Sequence, residues 1–510
     1  MILKTVFRKL KMPLCIAAAV LTAAVFSFCA NPDGSGNESV QSAYSRAGAF
    51  SSAEEARKAV YDLQKTTLER WIYEPEDFSA FDLACTEAIK YVRGNAGDEG
   101  YLEKCTELYS KAVRAKESVR FRKGDLPRVY IVCKEEIGRD AYVGCAVYFV
   151  DSEKGNIAPV VDSKASIRVR GHSTSAADKK PFNVKLSSDR GIFGMEKGGK
   201  WALLANHFDK TLMRNRIALD LAQTAGCYAA LDSRYAEVFL NGAFLGNYLV
   251  CEPATDGKNR ANVNASKGEF MIERVKNWAG ESDSMFFTHS LGLRFDVNAS
   301  DGQIQRVKEI VDRAEAAILS GDETAIREVI DPDSFAAMYV VQELIKDCDL
   351  FYGNCHLCYR NGLLFCGPMW DMDLSMGNAS ETVDEEKYRI YNNLPPFGNG
   401  SGDSATGRWA DGEWFGELLK TSFFQTLVRR KYGEMKDAIR NLYADGGIID
   451  RLADEYGESF RRNYTDAGWS LSDHASPYEM RTVFATHADA VRDLKAWLER
   501  RHEYLETFLK

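Results

Sequence analysis

At 510 residues and 45% hydrophobic composition, the chain can bury more than one core, which excludes a largely disordered protein. Its formal charge is −9, and because the first thirty residues hold Lys4, Arg8, Lys9 and Lys11 with no acid, the remainder is more acidic still. Such a chain is poorly matched to a phosphate backbone, so nucleic acid is excluded as the expected partner.

The first thirty residues have a basic start up to Lys11, an apolar run from Met12 to Cys29 and small residues around Ala30, the layout of a signal peptide. The run is also about the length of a membrane helix, so an uncleaved anchor is the alternative. Cys29, ahead of the polar NPDGSGNES stretch, resembles a lipoprotein acceptor cysteine, although Phe28 stands where such sites carry a small residue. The expectation is an exported protein at the cell surface or in the periplasm, tethered by a lipid on Cys29 or by the anchor. Residues 31–50, rich in Ser, Gly, Asn and Ala, have the composition of a flexible linker. Export also permits disulfides among the remaining cysteines, with Cys133 and Cys145 the candidate pair. Cys355-His356-Leu357-Cys358 has no second CxxC or His pair at zinc-like spacing, so core thiols are expected there rather than a structural zinc.

From Ser51 the pattern turns helical. Apolar Ala56, Val60 and Leu63, then Phe81, Ala84, Cys85, Ala88 and Val92, then Tyr101, Cys105, Leu108 and Ala112 all fit a 3.6-residue period. A three-helix spacer module over 51–122 is the expectation, with a faint similarity to FIVAR-type repeats. After Asp125-Leu126-Pro127 come β-rich runs at Val129–Cys133, Tyr142–Val150, Ile167–Arg170, Phe182–Leu186 and Trp201–Leu204. A helical stripe follows through Met213, Ile217 and Leu221. Next are two runs flanking Asn241-Gly242, the strongest short hairpin signal. Beyond about residue 300 helical patterns dominate, at 303–319, 334–346, 414–442, 448–463 and 481–508, interrupted by a β-like island from His356 to Phe365. The fold class expected is α+β, with a β-rich part over about 125–275 and a helical part over about 300–510. The Asn-, Gly- and Ser-rich insertion from Glu381 to Gly412 has the length of a lid or substrate-contacting loop.

Chemistry concentrates between Asp347 and Asn378. Asp349 and Asn354 stand in a D-x-x-x-x-N spacing, which kinases use for a catalytic base and a metal-binding amide. Asp371 and Asp373 follow an apolar run and Gly367-Pro368. Together these residues offer the hard oxygen donors that Mg²⁺ prefers. The spacing alone also suits a Ca²⁺ loop, a hydrolase site or a solvated turn.

Five blocks in order narrow this. RVRGHST, KKPFNVKL, WALLANHFDKTLMRNRIALDLA, EVFLNGAFLGNYLVCE and WDMDLSMGN resemble the blocks of the CotH family of atypical protein kinases, over a span from about Leu126 to the C-terminal helix. The resemblance implies a two-lobed, kinase-like domain over 125–510 that uses ATP with Mg²⁺ or Mn²⁺. It implies that Asp349 is the catalytic acid that orients or deprotonates the acceptor hydroxyl, and that Asp371 holds metal. Asp373 is a second metal-side acid, and Asn354 joins the set by spacing. Within the β-rich part, Arg170, Ser173 and Thr174 of the RGHST turn are candidates for the phosphates. Lys185, on an alternating strand with Asn183, is a candidate for the cleft, while Lys179 and Lys180 are expected as surface charges. Arg214 is expected either at phosphate or paired with an acid such as Glu237, and the backbone at Glu252 at adenine. The function implied is phosphorylation of a protein Ser or Thr in the envelope or outside the cell. Two alternatives are an inactive kinase-shaped adhesin or assembly factor, and transfer of AMP instead of phosphate.

Overall fold

The computed structural model describes residues 49–171, 173–255, 257–275, 282–297, 301–347, 354–378, 414–472, 484–507 and 509. The leader with Cys29, most of the linker, Asp349 and the insertion at 381–412 lie outside the described residues. Residues from Ala47 onward form one compact unit of α+β structure.

Three helices come first, α1 (Ala53–Lys65), α2 (Pro75–Gly94) and α3 (Tyr101–Glu117), and their apolar stripes face one another as the periodicity requires. They are not held out on a spacer. The 3₁₀ segment Thr66–Ile72 between α1 and α2 lays Trp71 and the fully buried Ile72 on Tyr130, Tyr148 and Val150 of the following β structure. Glu69 fixes the contact by accepting from Tyr148 Oη at 2.6 Å.

That β structure is a closed seven-stranded barrel. It comprises β1 (Arg128–Cys133), β2 (Val143–Val150), β3 (Val160–Val169), β4 (Phe182–Arg190), β5 (Gly198–Leu204), β6 (Ser233–Leu240) and β7 (Ala243–Cys251). The order around the barrel is β1-β2-β3-β4-β5-β7-β6, and the parallel β1–β6 pairing closes it and leaves no open edge. Alternate residues such as Val129, Ile131, Val147, Ile167, Val184, Trp201 and Val238 fill the interior. Cys133 and Cys145 are register partners inside the barrel, yet both are free thiols, as is every described cysteine. The expected bridge is therefore not formed, because Cys133 Sγ turns to the carbonyls of Glu135 and Gly144 instead.

Helix α4 (Arg214–Ala225) lies between β5 and β6. A second sheet then draws on strands far apart in the chain: β8 (Phe270–Arg274), β9 (Met285–Phe287), β10 (Arg294–Val297), β11 (Cys355–Arg360) and β12 (Leu363–Met369), in the order β12-β11-β8-β10-β9. The helices around it are α5 (Asp301–Ser320), α6 (Glu323–Arg327), α7 (Pro332–Ile345), α8 (Trp414–Leu419), α9 (Ser422–Tyr443), α10 (Ile448–Thr465) and α11 (His487–Leu505). Helix α7 is mostly apolar and, beyond Asp333 in its first turn, buried along its length, as a central helix must be. It starts with Pro332 behind the cap Asp331, whose Oδ1 accepts from Ser334 N at 2.7 Å. Among the described residues no helix is long and apolar enough to cross a membrane.

Candidate active site

The site forms where the turn after β12 meets the loop between β3 and β4. Leaving the cis peptide Gly367-Pro368, the chain passes Trp370 and enters the left-handed region at Asp371 (φ 62°) and again at Met376 (φ 50°) and Gly377 (φ 76°). Non-glycine residues hold such a conformation only when the surroundings fix it. Here the backbone of the turn is gripped from several directions. The N–H of Met372 donates to Asn215 Oδ1 at 2.7 Å and that of Met376 to the Ile345 carbonyl at 2.6 Å. The carbonyls of Ser375 and Met376 accept from the Arg214 guanidinium at 3.1 and 3.3 Å. Asn378 donates back to the carbonyls of Asp373 and Phe208.

The β3–β4 loop brings a positive charge to this turn. Arg170 Nη2 lies 3.9 Å from Asp371 Oδ2, and its guanidinium sits over the Trp370 ring, 4.8 Å from the centroid. Behind it, Ala177 of the same loop packs with Phe208 and Leu374, so that loop and turn share a small apolar cluster. Ser173 and Thr174 lie in this loop, where their carbonyls accept from Ala176 and Ala177 in consecutive turns. Gly171 has φ 88°, and a Cβ there would fall 1.9 Å from Thr174 Oγ1, so the tight turn requires glycine.

Asn354 precedes β11 and donates from Nδ2 to the Asp371 carbonyl at 3.1 Å, which brings the two predicted residues together. Asp373 is buried in the same turn. A further acid, absent from the sequence-based expectations, completes the group. Glu273 on β8 faces Asp296 of β10 on one side and His356 of β11 on the other, and opposed residues in antiparallel strands share a face. Desolvation first, then the charges of Asp296 and Asp371, push its carboxyl up to about 7. His356 is fully enclosed and burial pushes it down to about 4, so it is a neutral strand residue.

Other predicted residues take different places. Lys185 is exposed: Phe182, Val184 and Leu186 point into the barrel, so Lys185 and Asn183 point away from its interior, and Lys185 is not brought to Asp371. Lys179, expected at the surface, is instead completely buried. Its ammonium donates to the carbonyls of Ala205 and Asn247 and to Asn463 Oδ1 at 2.8, 2.5 and 2.8 Å, and burial holds it well below the usual lysine range. Arg214 pairs with Asp209 at 2.5 Å and not with Glu237, whose carboxylate is taken by Arg128 and Arg462. Glu252 accepts from Arg260 at 2.8 Å and from the Asp232 N–H, and its own N–H goes to the Asp232 carbonyl, so that amide is not open to a base.

A family model described as CotH kinase protein matches residues 167–505, two thirds of the chain. The chain belongs to the CotH kinase family. No curated protein matches it. The matched span begins inside β3, takes in the Arg170 loop and the Asp371 turn, and ends with α11, leaving the three leading helices outside it.

As a test of fit to a divalent cation, the donor chemistry in this CotH-family site is suitable. Asp371, Asp373 and Asn354 offer hard oxygens, and Glu273 feels uncompensated negative charge that a cation would relieve. Among the described residues no group of three or more His, Cys, Asp or Glu side chains stands within common ligand reach. A cation here would therefore complete its shell with water or phosphate oxygens, as Mg²⁺ usually does.

Proposed function

We propose that the protein is an exported atypical kinase that transfers the γ-phosphoryl group of ATP to a Ser or Thr hydroxyl of an envelope or extracellular protein. In this reading the barrel and the helical part act as the two lobes of a kinase-like domain. The observation that carries it is the meeting of the Arg170 loop with the Asp371 turn, which juxtaposes a phosphate-suited cation and a metal-suited carboxylate on separate elements. Family membership supports the same conclusion.

Asp371, with Asp373 and Asn354, would hold Mg²⁺ or Mn²⁺, which when bound supplies charge neutralisation for the triphosphate. Arg170 and the backbone of the Ser173–Thr174 turn receive phosphate oxygens. Asp349 accepts the proton of the acceptor hydroxyl as its oxygen bonds to the γ-phosphorus and the bond to the ADP oxygen breaks. Lys185 and the Glu252 amide take no part. In this reading the signal-peptide-like leader supports a location outside the cytoplasm, with a lipid on Cys29 or the uncleaved anchor as the membrane tether.

The test is incubation of the purified protein with γ-labelled ATP and Mn²⁺ or Mg²⁺, using the protein itself, casein and co-extracted envelope proteins as acceptors. Label is expected to transfer, and Asp371→Ala is expected to reduce it by about a thousandfold. Absence of transfer to every acceptor argues against a kinase, and full activity of Asp371→Ala removes the metal assignment.

One observation favours a second reading, an inactive kinase-shaped surface protein: neither Lys179 nor Lys185 reaches Asp371, so no lysine fills the strand-borne phosphate role by the route expected. A thermal-shift titration separates the two, because a protein that does not bind ATP and Mn²⁺ is not stabilised by them.

A further inference from the structure

We infer that Asn215, backed by Asn206, is a positioning residue that sets the Asp371 carboxylate for its cation. This rests on the assignment of Asp371 as a metal-holding residue.

Asp371 lies in the left-handed region, and the first amide after it, that of Met372, is the group whose orientation defines that turn. Among the described residues that N–H donates to Asn215 Oδ1, at 2.7 Å. Asn215 is in turn oriented by its other end, Nδ2 donating to Asn206 Oδ1 at 2.9 Å, and Asn206 Nδ2 donates to the Leu212 carbonyl at 3.1 Å. Both amides are buried, at 3% and 4% exposure, so losing a partner leaves a buried polar group unsatisfied. A carboxamide does both tasks at position 215, whereas an aliphatic side chain offers neither and a carboxylate accepts but does not donate. Asn206 itself has φ 48°, a conformation that asparagine tolerates better than most residues. Arg214, the neighbour of Asn215 at the start of α4, grips the same turn three and four residues further on. One helix start thus holds both ends of the turn, and Asn215 is the residue that bears on Asp371.

The experiment titrates Mn²⁺ into the purified protein at fixed ATP and follows the unfolding temperature, with the wild type, Asn215→Ala and Asn215→Asp. The alanine variant loses the acceptor, and its half-point in Mn²⁺ is expected to rise roughly tenfold. The aspartate variant keeps the acceptor, and its half-point is expected to stay within about threefold of wild type. A residue that only supports the fold would lower the unfolding temperature in both variants and leave both half-points in place, and that result overturns the inference. If the alanine variant does not fold, Asn215→Ser, whose shorter side chain does not reach the Met372 N–H, is titrated in its place: a rise of roughly tenfold supports the inference, and a half-point within about threefold of wild type overturns it. If the wild type itself shows no Mn²⁺-dependent shift, the metal assignment has failed and not the role of Asn215 within it.

Discussion

Glu273 offers a quantitative check on the geometry of the site. Its carboxyl is raised from an ordinary 4.5 to about 7 by desolvation, then by Asp296 and Asp371, while Arg170 stands beside Asp371 and burial keeps the facing His356 neutral. An acid whose pKa is higher in the folded than in the unfolded state binds a proton more tightly when folded. Its stabilising contribution is therefore complete below about pH 4.5 and is lost as pH rises through about 7. The gap of about 2.5 pH units, at about 1.4 kcal/mol per unit, corresponds to roughly 3 kcal/mol. Glutamine at this position carries no charge in either state and removes the dependence. Urea unfolding of wild type and Glu273→Gln, in buffer with chelator at pH 5 and pH 8, measures it. The variant is expected to be close to wild type at pH 5 and more stable by about 2–4 kcal/mol at pH 8. A difference between the two pH values below about 0.5 kcal/mol would refute the burial of Glu273 beside Asp296 and Asp371.

Two further outcomes test the frame around the site. Lys179→Met removes three hydrogen bonds and leaves the Ala205 and Asn247 carbonyls and Asn463 Oδ1 buried; against the relief of burying no ammonium, a net loss of about 2–4 kcal/mol is expected in denaturant unfolding. Ile72→Asp places a carboxylate in the contact between the 3₁₀ segment and the barrel. Limited proteolysis is expected to cut the variant near residues 118–127 and release α1–α3, whereas wild type resists; equal resistance would show that this contact does not hold the helices to the barrel.

Much of the frame was legible because burial follows period. Alternation at Val129–Cys133 and at the Asn241-Gly242 hairpin marks barrel strands, and the stripes of α1, α2 and α3 mark their packed faces. Periodicity fails where strands are short. The residues FMIER and RFDV of β8 and β10 are five and four long, and their alternating acids look like a solvated face until the sheet pairs them. Pairing between strands far apart in the chain, not local pattern, is what makes Glu273 part of the site. Lys185 shows a different limit: alternation correctly sets it opposite Phe182, Val184 and Leu186, but only the closed barrel fixes which side meets other elements. Lys179 could not be read locally at all, because one of its acceptors, on Asn463, is 284 positions away.

The same distance effect explains why the motif WDMDLSMGN shows where Asp371 is but not how it is held. Ser375 and Asn378 bond within the motif, but the partners that hold its backbone from outside are Asn215 and Arg214 at the start of α4, Ile345 at the end of α7 and Asn354 before β11. None of these lies within the motif, and each belongs to an element that is itself anchored in the central core. A carboxylate in the left-handed region would relax to a commoner conformation if its turn were held by local contacts alone, since that region costs about 1–2 kcal/mol for most residues. The three distant anchors supply more than that, so the position of Asp371 is a property of the assembled fold, and substitutions in α4 should disturb it before they disturb the barrel.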